Sequence, residues 1–93
     1  MEKPETKTVL VVDDEPDVRT YLKALLEDNS YATELAENGV EGIKKVMTNR
    51  PDLITLDITM PEKSGVRVYR EMQEGEENRG IPIIIVTGIS GEF

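Results

Sequence analysis

Two apolar runs that each end on aspartate constrain this chain more than any other feature. Thr8-Val9-Leu10-Val11-Val12 leads directly into Asp13-Asp14, and Leu53-Ile54-Thr55-Leu56 leads directly into Asp57. An apolar run of that length, bounded by charge, reads as a strand buried on both faces, the habit of parallel sheets. Parallel neighbours end side by side, so the three carboxylates are expected to converge at the C-terminal edge of the sheet. Open α/β sheets bind their ligands at that edge. Carboxylates crowded together repel one another, and the arrangement calls for a divalent cation or raised pKa values.

The segments between these runs alternate in period. After a charged lead over residues 1–7, strand 1 covers Thr8 to Val12, and Pro16 suits the first turn of a helix, with Asp14 or Glu15 near its cap. Val18, Tyr21, Leu22, Leu25 and Leu26 form an amphipathic stripe that reads as core. Tyr31 to Ala36 alternates weakly and reads as a short edge strand. Asn38-Gly39 is a turn, and Val40, Ile43, Val46 and Met47 mark a second helix whose stripe also reads as core. Leu53 to Leu56 is strand 3. Val66, Tyr69 and Met72 suggest a third helix, about Ser64 to Gln73, followed by a polar connection from Glu74 to Gly80. Ile81 to Val86 is strand 4, with Pro82 near its start, where a missing N–H is tolerated. This β-α-β-α-β-α-β alternation predicts a parallel sheet with right-handed crossovers.

Composition removes several function classes. The 93 residues carry a formal net charge of −8, which argues against nucleic acid because nothing neutralises phosphates. With no histidine, a Ser-His-Asp triad and imidazole metal ligands are excluded, and with no cysteine so are disulfides and thiolate zinc sites. No stretch is long enough to span a bilayer and the N-terminus has no apolar signal region. The expectation is one small, soluble, cytoplasmic domain with no membrane partner. Taken alone, Asp13 and Asp14 would read as loop carboxylates capping a helix. Thr87, taken alone, would read as a strand-end hydroxyl satisfying local backbone.

In combination these residues resemble a known family. Val9-Leu10-Val11-Val12-Asp13-Asp14-Glu15, then Asp57-Ile58-Thr59-Met60-Pro61 with Gly65, then Thr87-Gly88 after an isoleucine-rich strand, are similar to the receiver domain of two-component response regulators. The resemblance covers residues 8–90. It implies a doubly wound, flavodoxin-like α/β fold with strand order 2-1-3-4 for the strands present. It implies Asp57 as phosphoacceptor, Asp14 as a direct Mg²⁺ ligand, and Asp13 holding the ion partly through water. The Thr59 backbone carbonyl would complete the protein ligands, and Thr87 would hydrogen-bond the phosphoryl group and report its presence. The implied partner is a sensor histidine kinase or a phosphotransfer protein, which supplies the phosphohistidine. The protein would act as a signalling phosphoacceptor rather than an enzyme.

The family pattern continues beyond what this chain provides. Receivers have a fourth helix, a fifth strand tipped by a lysine, and a fifth helix, none of which follows Ile89-Ser90-Gly91-Glu92-Phe93. Lys44, Lys45 and Lys63 fall on helix or loop positions and do not fill the lysine's role. The isoleucines of strand 4 are therefore expected to form an exposed edge, to be covered by missing chain or by a second chain, as in a dimer. Two other readings stand beside the receiver. One is a receiver-like interaction module that takes no phosphate. The other is a fragment of a haloacid-dehalogenase-type phosphatase, which Asp57-Ile58-Thr59 suggests, although Thr59 cannot serve as that class's general acid.

Overall fold

The alternating segments form four parallel strands and three helices in a computed structural model that describes residues 6–58, 65–74 and 80–86. The elements are β1 (Thr8–Val12), α1 (Pro16–Asp28), β2 (Ala32–Ala36), α2 (Gly39–Asn49), β3 (Leu53–Asp57), α3 (Gly65–Glu74) and β4 (Ile83–Val86). The sheet order is β2-β1-β3-β4, all parallel, as the sequence pattern implied. Right-handed crossovers fix which face each helix covers. The chain moves from β1 to β2 through α1, then reverses past β1 to β3 through α2 and continues outward through α3 to β4. The reversal places α1 on one face and α2 with α3 on the other, where those two helices touch each other.

The core lies on the face covered by α2 and α3. Leu10 and Val12 of β1 and Ile54 and Leu56 of β3 meet Val46 of α2 and Val68 and Met72 of α3, all essentially without solvent exposure. Val9 and Val11 point to the other face and are equally buried. β1 is thus apolar on both sides, which is why its sequence does not alternate.

Several boundaries differ from the sequence pattern. β2 begins at Ala32 and α2 at Gly39, because Asn38 is an N-cap whose side chain accepts the Glu41 N–H at 2.8 Å. Glu41 answers by accepting the Glu37 N–H at 2.7 Å, so the expected turn residues are the start of the helix. β3 runs one residue further, to Asp57, and α3 runs from Gly65 to Glu74. β4 starts at Ile83 rather than Ile81, since Pro82 has no N–H for the ladder, yet Ile81 still packs into the core.

The helix stripes are less buried than their spacing implied. Tyr21 is 65% exposed and Leu25 is exposed too, while Val18, Leu22 and Leu26 are half-buried, so α1 has no fully buried residue. On α2, Val40 and Met47 are about 62–63% exposed, and Tyr69 of α3 is exposed as well. The physical reason on α1 is its neighbourhood: among the described residues its main packing is against one face of the sheet, at β1 and β2. Ile84 aligns with Thr55 and Val11 on the same face and is 51% exposed.

α2 approaches β1 closely at Gly42. A Cβ there would lie 3.0 and 3.2 Å from the two Val12 methyl carbons and 3.5 Å from Met72 Cε. Gly42→Val adds branched bulk to that contact and is expected to destabilise the fold by about 1–3 kcal/mol. Thermal denaturation checks it, with a loss of roughly 4–8 °C for each kcal/mol in a domain of this size; an unchanged midpoint would mean that the two elements separate freely.

Candidate functional site

The acidic residues are brought together by strand register. β1 and β3 pair Val12 with Leu56, so Asp13 and Asp57 follow as the next positions on neighbouring strands. The Asp13 N–H extends the β1–β2 ladder by donating to the Ala36 carbonyl at 3.0 Å. Asp13 and Asp57 are 3% and 2% exposed, whereas Asp14, one residue further along, is exposed. One carboxylate oxygen from each of the three lies within 4.8 Å of the others. Oxygens on opposite sides of a six-coordinate Mg²⁺ are about 4.2 Å apart, given ligand distances near 2.1 Å. Adjacent ligands are only about 3.0 Å apart, so the oxygens would draw closer around the ion, and a site open on the Asp14 side leaves room for its waters. The residues present fit the cation expected from the sequence.

The local backbone holds Asp13 in place. Its Oδ1 accepts the Glu15 N–H at 2.9 Å, and its carbonyl accepts a hydrogen bond from Arg19 Nη1 at 2.7 Å. Glu15, not Asp14, is the N-cap of α1, and its side chain makes no capping bond. Burial holds the Asp13 carboxyl above its ordinary value, opposed by the Glu15 N–H and reinforced by the charges of Asp57, Asp14 and Glu15.

Arg19, which donates to the Asp13 carbonyl, is a neighbour of the acidic cluster that sequence reasoning did not single out. It lies between the stripe residues Val18 and Tyr21 and has the look of a solvent-facing helix position. No sequence signal marked it, because the absence of a side-chain cap at Glu15 and the carbonyl that Arg19 meets are visible only in the structure. The lysines behave as expected where they are described: Lys45 donates to the Leu35 carbonyl on the outer side of β2, and Lys44 is exposed. Thr59, Lys63 and Thr87 lie outside the described residues, as does the polar connection over residues 75–79. A hollow of about 300 Å³ lined by Arg50, Pro51, Asp52, Gly80 and Ile81 opens at the opposite end, where β3 and β4 begin.

Comparison with known proteins agrees with this geometry. The family model for the response regulator receiver domain matches residues 9–93. The chain belongs to the receiver-domain family.

The response regulator MprA of Mycobacterium sp. (strain KMS) is 39% identical over 79 residues, which are 85% of this chain and 34% of that protein. This receiver therefore spans about a third of the length of the curated relatives it matches. Response regulator TrrA from Thermotoga maritima, solved in complex with Mg²⁺-BeF, superposes with a TM-score of 0.81 at 41% identity, covering 91% of this chain and 72% of that one. A structure of histidine kinase ThkA in complex with TrrA matches at 40% identity and a TM-score of 0.82, covering 94% of this chain and 73% of the matched one. The fold is thus the flavodoxin-like receiver fold of two-component systems. No helix among the described residues is long and apolar enough to cross a membrane.

The raised Asp13 pKa has a stability consequence. The native state holds this proton more tightly than the unfolded chain, so stability falls as pH rises from the ordinary value through the raised one. Above that window the charge opposes folding. Asp13→Asn keeps an oxygen for the Glu15 N–H and removes the charge. In chelator at neutral pH the variant is expected to melt several degrees above the parent, a gain that shrinks on acidification through the same window. A variant melting below the parent would show that its carboxylate stabilises the metal-free receiver.

Proposed function

We propose that this receiver takes a phosphoryl group from phosphohistidine onto Asp57, with Mg²⁺ held by Asp13, Asp14, Asp57 and the Thr59 backbone carbonyl. The convergence of three carboxylate oxygens within 4.8 Å at the sheet edge is the observation that carries the reading. The Mg²⁺-BeF complex of TrrA and its complex with the kinase ThkA support the ion and the partner by likeness. Bound there, Mg²⁺ would supply positive charge against an incoming phosphoryl dianion.

The chain's own residues would do the rest. An oxygen of Asp57 attacks phosphorus in line, a P–O bond forms, and the P–N bond to the donor imidazole breaks. Burial of Asp57 at the end of β3 restricts its carboxylate to few orientations, which favours a single line of attack. Thr87, which directly follows β4, would donate its hydroxyl to the phosphoryl oxygens and couple phosphorylation to the rest of the domain. Any self-catalysed transfer from a small phosphodonor, or slow hydrolysis of the acyl phosphate, would use the same groups.

The kinase or phosphotransfer partner would dock beside α1, where Tyr21 is largely exposed near the rim carrying Asp14. The cytoplasm is the proposed location of that encounter. Further polypeptide, continuing this chain or supplied by a second one, would pair with the outer edge of β4 and cover Ile84 and Ile85.

Intact-mass spectrometry after incubation with a small phosphodonor and Mg²⁺ tests the reading. A single hydroxylamine-labile phosphoryl adduct is expected, lost in Asp57→Asn and in chelator. A folded protein that takes no adduct would favour a receiver acting only through binding. Among ligand variants, Asp14→Ala is expected to weaken Mg²⁺ binding most, read by calorimetric titration. Thr87→Ala should keep some phosphorylation while losing output, and full output from it would refute the switch role.

A further inference from the structure

Asp13 is held at three points, and one of them belongs to a side chain outside the acidic cluster. Its N–H extends the sheet to Ala36, its Oδ1 takes the Glu15 N–H, and its carbonyl takes the Arg19 guanidinium at 2.7 Å. The last bond is the only one of the three supplied by a side-chain donor. The Asp13 carbonyl lies past the last β1–β3 partners, Val12 and Leu56, on a residue that is 3% exposed. A carbonyl so buried needs a donor, and leaving it without one would be costly. The turn also lacks its ordinary anchor. Glu15 is extended and makes no capping bond, and Pro16 brings no N–H to the first turn of α1. The first helical bond, from Arg19 N–H to the Glu15 carbonyl, ties the same residue to the turn through its backbone.

We infer that Arg19 is a positioning residue for the cation site. By holding the Asp13 carbonyl, it fixes the direction in which the Asp13 and Asp14 carboxylates leave the end of β1. The inference rests on the reading of these carboxylates as Mg²⁺ ligands. Arginine suits the task because its guanidinium stays charged and reaches the carbonyl with a rigid, planar set of donors. Residues that orient metal ligands without touching the metal commonly matter to affinity almost as much as the ligands do.

Positioning and bare electrostatics oppose each other here, which makes the inference decidable. A guanidinium beside the cluster repels a cation, so charge alone predicts that removing it tightens Mg²⁺ binding. Loss of positioning predicts weaker binding.

The experiment is calorimetric titration of Mg²⁺ into the intact protein and its Arg19→Met and Arg19→Lys variants, with a chelator-treated thermal melt of each. Arg19→Met keeps the stem and loses the donor, and is expected to weaken Mg²⁺ binding about tenfold. Arg19→Lys, which can still reach the carbonyl as a point donor, should recover part of that loss. Unchanged or tighter binding by folded Arg19→Met overturns the inference, including the case where only its melting temperature falls. If Arg19→Met does not fold, neutral Arg19→Gln replaces it under the same criterion. A parent protein that binds no Mg²⁺ overturns the cation reading itself, and a parent that binds alongside an equally tight Arg19→Met overturns the positioning role alone.

Discussion

The register of β1 against β3 is the constraint on which the rest depends. Pairing Val9 with Leu53 through Val12 with Leu56 buries Leu10, Val12, Ile54 and Leu56 on one face and brings Asp13 beside Asp57. A slip of one residue would turn the apolar set of one strand to the wrong face and separate the two carboxylates. Repulsion between two charges 4–5 Å apart near a protein surface is about 3–4 kcal/mol. Each buried aliphatic side chain contributes roughly 1.5–3 kcal/mol. A few core residues are therefore enough to hold a repelling pair together, and the register is set by packing rather than by the site.

The site then inherits an unfavourable electrostatic state. Asp13 is buried beside two other carboxylates, and the Glu15 N–H offsets only part of the resulting pressure toward protonation. A cation held in the cluster would relieve that repulsion, so its affinity would arise from what the core imposes as well as from the carboxylates themselves. The exposed Asp14 keeps one side open to water and to an incoming group. Held more deeply, the ligands would leave no opening for exchange.

Strands were the legible part of this sequence and helix burial was not. β1 and β3 announce themselves because both faces are covered, and the aspartates that end them carry the site with them. The stripe on α1 has correct helical spacing, yet Tyr21 and Leu25 remain exposed, because periodicity gives a face and not what packs against it. Asn38-Gly39 read as a turn because capping and turn residues overlap in type, and the reciprocal bonds with Glu41 distinguish them only in three dimensions. Arg19 could not be read from composition or period. Its role depends on a carbonyl left over where the ladder ends, a property of the fold rather than of the residue.

The two outer strands show how edge and interior character are written differently. β2 is Ala-Thr-Glu-Leu-Ala, half-polar; Lys45 donates to the Leu35 carbonyl on its outer side, and Asn49 donates to the Glu34 carboxylate at 2.9 Å on the face shared with Leu10. The Lys45 contact blunts an edge in the way soluble sheets require. β4 is Ile-Ile-Ile-Val, with no polar residue, and both Ile84 and Ile85 are exposed although they point to opposite faces. That composition suits a strand covered on both faces with a neighbour on either side. A sheet whose β2 side carries polar contacts and whose β4 side exposes Ile84 and Ile85 is unlike at its two edges, and the apolar edge is the one whose burial would release the most water-exposed hydrocarbon.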